Sequence, residues 1–179
     1  MKKKMLLAII AAVVIFIAFG LYSADKLRHI EIVKTVNIKA SATDAYEAIS
    51  NLNSYPEWSP FLAQDPAQKY EVKGVAGTVG SRFYWNGNNG KDVRFQEITK
   101  LVPGTLVGMK CEIEKPFKAQ AVFEYRITKK GNGIEVIQTF NLESGLIDAF
   151  FLWLFGVKKE MSATNGLGLD LLKKNLESK

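Results

Sequence analysis

Between Lys69 and Leu142 six strand-length segments follow one another, joined by turns too short to hold a crossover helix. They are Lys69 to Gly74, Thr78 to Asn86, Lys91 to Leu101, Thr105 to Glu114, Phe117 to Thr128 and Gly133 to Leu142. The turn signals between them include Asn86-Gly87-Asn88-Asn89-Gly90, Pro103-Gly104, Lys115-Pro116 and Gly131-Asn132-Gly133. Parallel neighbours need a connection of a dozen or more residues, so these strands are expected to form an antiparallel meander.

The segment from Phe117 to Thr128 gives the clearest alternation. Phe117, Ala119, Ala121, Phe123, Tyr125 and Ile127 alternate with Lys118, Gln120, Glu124 and Arg126, which predicts one dry face and one wet face. Val79, Phe83 and Trp85 make a second stripe, and Val107, Met109, Cys111 and Ile113 a third. Upstream, Ile30, Ile32, Val36 and Ile38 share one parity and predict a first strand from His29 to Lys39. Ser41 or Thr43 then offers an N-cap to a short helix carrying Ala45, Ala48, Ile49 and Leu52, and Pro56 and Pro60 bracket a further helical turn.

A sheet with one apolar face must be covered, and the C-terminal segment is the helix available to do it. Met161, Asn165, Gly168, Leu172 and Leu176 recur there at three- and four-residue spacing. Its start, Leu146 to Val157, is apolar almost all round, yet twelve residues are too few to cross a bilayer.

The chain opens with Lys2, Lys3 and Lys4 and an uncharged run from Met5 to Ala24. As a helix those residues reach roughly 30 Å, the thickness of a hydrocarbon core. The strong apolar residues between Leu6 and Leu21 favour insertion by about 5 kcal/mol. Residues 1–24 are read as a single-pass anchor and residues 25–179 as one domain; a cleaved signal peptide ending near Ala18 and Gly20 is the competing reading. Orientation is weakly signalled, since Lys26, Arg28, Lys34 and Lys39 follow the run closely. A basic start that stays cytoplasmic puts the domain outside the cytoplasmic membrane.

The formal charge of +6 falls to +3 without the three leading lysines, leaving 21 basic against 18 acidic residues. The remaining lysines are scattered, so no nucleic-acid footprint is indicated. Cys111 is the only cysteine and cannot form an internal disulfide.

The order of elements, together with several short motifs, resembles the START-like superfamily, also called SRPBCC, and within it the polyketide cyclase/dehydrase and lipid-transport group. The motifs are Ile38-Lys39-Ala40-Ser41-Ala42, the helix with Asp44, Ala45 and Tyr46, and Tyr55-Pro56-Glu57-Trp58-Ser59-Pro60-Phe61. Gly77-Thr78-Val79-Gly80-Ser81, Trp85-Asn86-Gly87 and Gly166-Leu167 leading into Leu171-Leu172-Lys173 continue the series, so the likeness runs from His29 to Glu177. The resemblance implies an α+β helix-grip fold, in which a curled seven-stranded antiparallel sheet wraps a long C-terminal helix around a cavity. It also implies a hydrophobic small molecule or lipid in that cavity, and no cofactor. Only some members of this group are enzymes, so a pocket is implied more firmly than a reaction.

The cavity candidates are Trp58, Phe61, Phe83, Trp85, Phe95, Met109, Cys111, Phe123, Tyr125 and Phe140, all expected on the concave face, with Trp58 and Phe61 as its gate. For any one of these aromatics a place in the core is the favoured reading, but together they make an aromatic and Met wall that suits an apolar ligand. Phe150, Phe151, Trp153 and Phe155 are candidates for membrane contact, helped by Lys158 and Lys159.

Catalytic patterns are sparse. His29 is the only histidine and is expected at the surface, which leaves no metal cluster or hydrolytic triad to build around it. Gly74, Gly77 and Gly80 lead into strand formers and not a helix, so they read as a turn and not as a phosphate cradle. Glu57, Asp65, Asp92 and Glu97 read as solvated or capping carboxylates, and Cys111 as a small buried hydrophobe. The expected function is therefore a membrane-tethered binding or carrier protein for a lipid or other hydrophobic small molecule. A cyclase or dehydrase would instead need polar residues such as Arg82, Tyr125 or Gln138 to converge in the pocket. An interaction module for a membrane protein would need no sizeable pocket.

Overall fold

The computed structural model describes residues 2–115 and 119–178. The apolar run forms α1 (Lys2–Asp25), followed by β1 (His29–Ile38) and α2 (Ala42–Ser50). A 3-10 turn at Tyr55–Glu57 leads into α3 (Pro60–Gln64). The meander is β2 (Lys69–Lys73), β3 (Arg82–Gly87), β4 (Asp92–Val102), β5 (Leu106–Lys115), β6 (Ala119–Lys130) and β7 (Gly133–Glu143). Two helices close the chain, α4 (Leu146–Leu154) and α5 (Val157–Glu177).

The seven strands form one antiparallel sheet in the order β1-β7-β6-β5-β4-β3-β2. This is the expected α+β helix-grip arrangement: β1 crosses to pair with the last strand, and the concave face curls around α5. Alternation in β6 and β7 is strict, with Ala121, Phe123, Tyr125, Ile127, Ile134, Val136, Phe140 and Leu142 buried on one parity. Phe117, expected at the start of the β6 alternation, lies outside the described residues.

Local chemistry fixes the elements that flank the sheet. Of the two cap candidates Ser41 is used: its hydroxyl accepts from the Asp44 amide at 3.0 Å and donates to the Asp44 carboxylate at 2.7 Å. Ser59 caps α3 with Pro60 in its first turn. Between them the Trp58 indole N–H donates to the Ala48 carbonyl at 3.1 Å, tying the 3-10 turn to α2.

Two expectations change. Strand β3 begins at Arg82 and not at Thr78, because Gly74, Gly77 and Gly80 all take positive φ and carry the chain through an extended turn. Val79 sits in that turn at 60 % exposure and leaves the apolar stripe to Phe83 and Trp85. The C-terminal helix is broken in two: Gly156 adopts a left-handed conformation (φ 65°) that ends α4 and precedes the first residue of α5.

Candidate ligand-binding site

The concave faces of β4 to β7, the first half of α5 and α3 enclose a cavity of about 330 Å³. Register explains its wall. Cys111 faces Ala121, which faces Leu142; one row further in, Met109 faces Phe123, which faces Phe140. The small side chains of Cys111 and Ala121 in the first row leave room that the large ones in the second row fill. Phe61 from α3 and Met161 from α5 close the opposite side. The volume is at the lower end of the range for small-molecule sites.

The cavity is polar at its rim. Arg94 reaches in from β4, where its Nε donates to the Asp92 carboxylate at 2.5 Å, with both side chains 22 % exposed. Its guanidinium also lies over the Phe61 ring at 5.1 Å, and Phe61 stacks on Trp85 at 5.3 Å. Glu160, Thr164 and Asn165 of α5 add further polar groups.

A narrow extension leads from Phe61, Phe123 and Asn165 to a second polar cluster. There the Gln138 carboxamide donates to the Tyr125 hydroxyl at 2.8 Å, and Gln96 donates to the Met109 sulfur at 2.6 Å. The Gln138 Oε1 and Asn165 Nδ2 atoms are buried without a protein partner. Buried polar atoms of this kind are uncommon, and both border the same extension.

The sequence candidates divide into three groups. Phe61, Cys111, Phe123 and Phe140 line the cavity, and Tyr125 lines its extension. Phe83, Trp85 and Met109 are buried on the concave side as core; the Trp85 indole N–H has no partner. Trp58 is 1 % exposed, hydrogen-bonded to Ala48 and packed edge-on to Tyr55 (4.8 Å) and Tyr125 (6.0 Å), and it lines the narrow extension beside Phe61 in the position of a plug. Phe95 is on the opposite face, against Tyr84 at 5.3 Å with the Arg82 guanidinium over its ring. Thr99 is an extra residue of β4 between Ile98 and Lys100, which reverses the parity relative to Leu101 and puts Arg94, Gln96 and Ile98 inside in place of Phe95.

Burial favours the neutral form of three interior groups. Burial pushes the Cys111 thiol up to about 12 and raises the Tyr55 and Tyr125 phenols well above their ordinary range. Each acts as a neutral wall group at neutral pH, and the thiol is not an activated nucleophile. Of the residues expected to converge in an enzyme, Tyr125 and Gln138 meet; Arg82 is on the outer face, 2.6 Å from Glu97. Asp65 accepts from the Asn88 amide at 2.8 Å and holds the β3–β4 turn beside an open polar depression of about 640 Å³. His29 is at the surface, 4.0 Å from Glu143, and Asn175 donates to Glu57 at 2.9 Å. Among the described residues no three His, Cys, Asp or Glu side chains come together as a metal site.

Asp92, read from the sequence as solvated or capping, lies in the cavity rim, and Arg94 and Glu160 were not anticipated there. Their only sequence signal is the charged pair at Asp92 and Arg94, two apart and hence on one strand face.

A curled sheet gripping a helix over an apolar cavity with a charged rim defines a helix-grip ligand-binding domain. The sequence profile described as "Polyketide cyclase / dehydrase and lipid transport" matches residues 29–177. The chain belongs to that family. A comparison with curated proteins gives no match. Among solved structures the fold is similar to an uncharacterized protein from Rhizobium leguminosarum (TM-score 0.64, 16 % identity, 84 % of this chain and 96 % of that one). It is also similar to a protein of unknown function from Staphylococcus aureus (0.62, 22 %, 84 % and 94 %). A third is StfQ, a di-domain ARO/CYC from the steffimycin biosynthetic pathway (0.62, 14 %, 84 % and 51 %).

Proposed function

We propose that this protein is a membrane-tethered binding or carrier protein that holds a lipid or other hydrophobic small molecule in the helix-grip cavity. The observation that carries the reading is the cavity itself: an apolar wall of Phe61, Ile113, Ala121, Phe123, Phe140 and Met161, with no activated nucleophile beside a base among the described residues that line it. A tether is favoured over a cleaved signal because α1, which is long and apolar enough to cross a membrane, is fitted to the domain. A Cβ at Gly20 would clash with the Phe150 ring and sit 2.8 Å from the Trp153 ring, and Ala24 is fully buried. The basic start of α1 favours an extracytoplasmic domain.

The meeting of Tyr125 and Gln138 supports a second reading, a cyclase- or dehydrase-type enzyme on an apolar substrate. Two neutral groups can orient a carbonyl, while proton transfer would need a group poised near neutral pH, and burial moves Tyr125 away from it.

The test is a titration of the full chain in detergent micelles with a fluorescent long-chain acyl probe, beside Ala121→Trp and Met161→Trp. Saturable binding by the parent chain that both fillings abolish, with far-UV circular dichroism unchanged, supports the reading. Equal binding by all three refutes it.

A further inference from the structure

The structure places α4 against α1 at a definite depth. Trp153 meets Phe16 and Phe19 with ring centroids 5.7 and 6.0 Å apart, and the Phe150 and Trp153 rings cover Gly20. Phe16 and Gly20 precede Asp25, the first charged residue after the run, by nine and five positions. At 1.5 Å per residue, the α4 rings therefore lie roughly 8 to 14 Å inside the level of Asp25 along the α1 axis. A spanning α1 takes α4 into the leaflet with it, close to the depth at which interfacial helices rest.

The outer side of α4 fits that position. Ile147 is 73 % exposed and Phe155 68 %, and Phe151 and Leu154 are also uncovered, whereas Ala149 and Leu152 face the protein. Nine residues extend only about 14 Å and cannot cross a bilayer. Lys158 and Lys159 follow at once, both exposed, as cations placed for anionic headgroups.

The cavity opens at the same end of the sheet. β1 starts at His29, just after α1, and His29 pairs with Glu143 at the end of β7; Glu143 pairs with Gln120 near the start of β6. Ala119 pairs with Ile113, and Ile113 with Arg94. The rim residues Arg94, Ile113 and Ala121 thus stand at the end that α1 and α4 abut. Opposite them, Val157, Glu160 and Met161 belong to the first turns of α5, which Gly156 joins directly to α4.

We propose that α4 is a half-inserted helix that seats the cavity rim on an anionic phospholipid leaflet, so that the apolar ligand passes between cavity and bilayer without crossing water. This deepens the tethered-carrier reading and rests on it for the span of α1 and the occupied cavity.

The test uses the full chain in vesicles of phosphatidylcholine and phosphatidylglycerol, spin-labelled at Ile147→Cys, Phe155→Cys or, as a control in the far turn, Val79→Cys; Cys111 is buried and left in place. Labels at 147 and 155 accessible to oxygen and shielded from a water-soluble nickel chelate, with the reverse at 79, are expected. Nickel accessibility at 147 and 155 equal to that at 79 overturns the proposal. A second readout is the transfer rate of a fluorescent acyl probe between vesicles. Phe151→Ser with Phe155→Ser is expected to slow transfer at least about tenfold at unchanged equilibrium occupancy, and an unchanged rate overturns the proposal. Loss of probe binding by the parent chain, with the labels still in lipid, instead refutes the carrier reading.

Discussion

Trp58→Phe separates a plug from a gate. The indole is 1 % exposed, and its N–H donates to the Ala48 carbonyl at 3.1 Å. The substitution removes that hydrogen bond, but Ala48 still accepts from the Ser54 hydroxyl at 2.8 Å, so no bare carbonyl is left behind. The hydrogen-bond loss is therefore at the low end, about 0.5 to 1 kcal/mol. Exchanging indole for phenyl leaves a void of roughly 40 Å³, which at about 24 cal/mol per Å³ adds about 1 kcal/mol. The edge-on contacts with Tyr55 and Tyr125 are partly kept by the new ring. The total is a loss of about 2 kcal/mol, measured as the shift in urea midpoint followed by far-UV circular dichroism on the full chain in detergent. A midpoint that does not move, with faster ligand release, would refute the plug assignment and restore the gate.

Three further outcomes follow from the geometry. Cys111 holds its proton up to about 12 when folded and releases it near 9 when unfolded, so the folded state binds more protons between those values. Stability is then flat below about pH 9 and falls above it by up to about 1.4 kcal/mol per pH unit from this group; Cys111→Ala should flatten that limb in alkaline urea titrations, and an unaltered slope contradicts the burial argument. Asp92→Asn leaves the rim guanidinium of Arg94 without its carboxylate and should cost about 1 kcal/mol, the 22 % exposure limiting the penalty, while strengthening binding of an anionic amphiphile relative to its neutral ester in fluorescence titrations. Ser41→Ala removes the α2 cap and should lower stability by about 1 kcal/mol without changing ligand affinity, checked by the same denaturation and titration.

What could be read in the sequence was what short-range rules govern. Alternation in β6 and β7 carried the buried wall, and Pro and Gly signals marked the turns, because a pleated strand with one dry face leaves no other pattern. Phe95 failed the same reasoning because the extra residue Thr99 reverses the parity of β4, and nothing in Ile98-Thr99-Lys100 announces it. A Pro-flanked aromatic such as Trp58 looks alike in sequence as gate or plug, and its bond to Ala48, ten residues away, is visible only in the fold. The break at Gly156 needs a left-handed φ that Gly permits but does not require. The packing of α4 on α1 joins segments about 130 residues apart, both apolar almost all round, so periodicity in neither points to the other.

Native mass spectrometry of the full chain released from phospholipid nanodiscs, beside Ala121→Trp, tests the cavity assignment most directly. Ala121 is buried in the small-residue row of the wall, so an indole there occupies the space a ligand needs. The expected spectrum shows one apolar small molecule retained per parent chain, removable by solvent extraction, and none on the variant. A parent chain that takes up no lipid or aromatic ligand, or a variant that holds the same mass as the parent, contradicts the cavity as the seat of function.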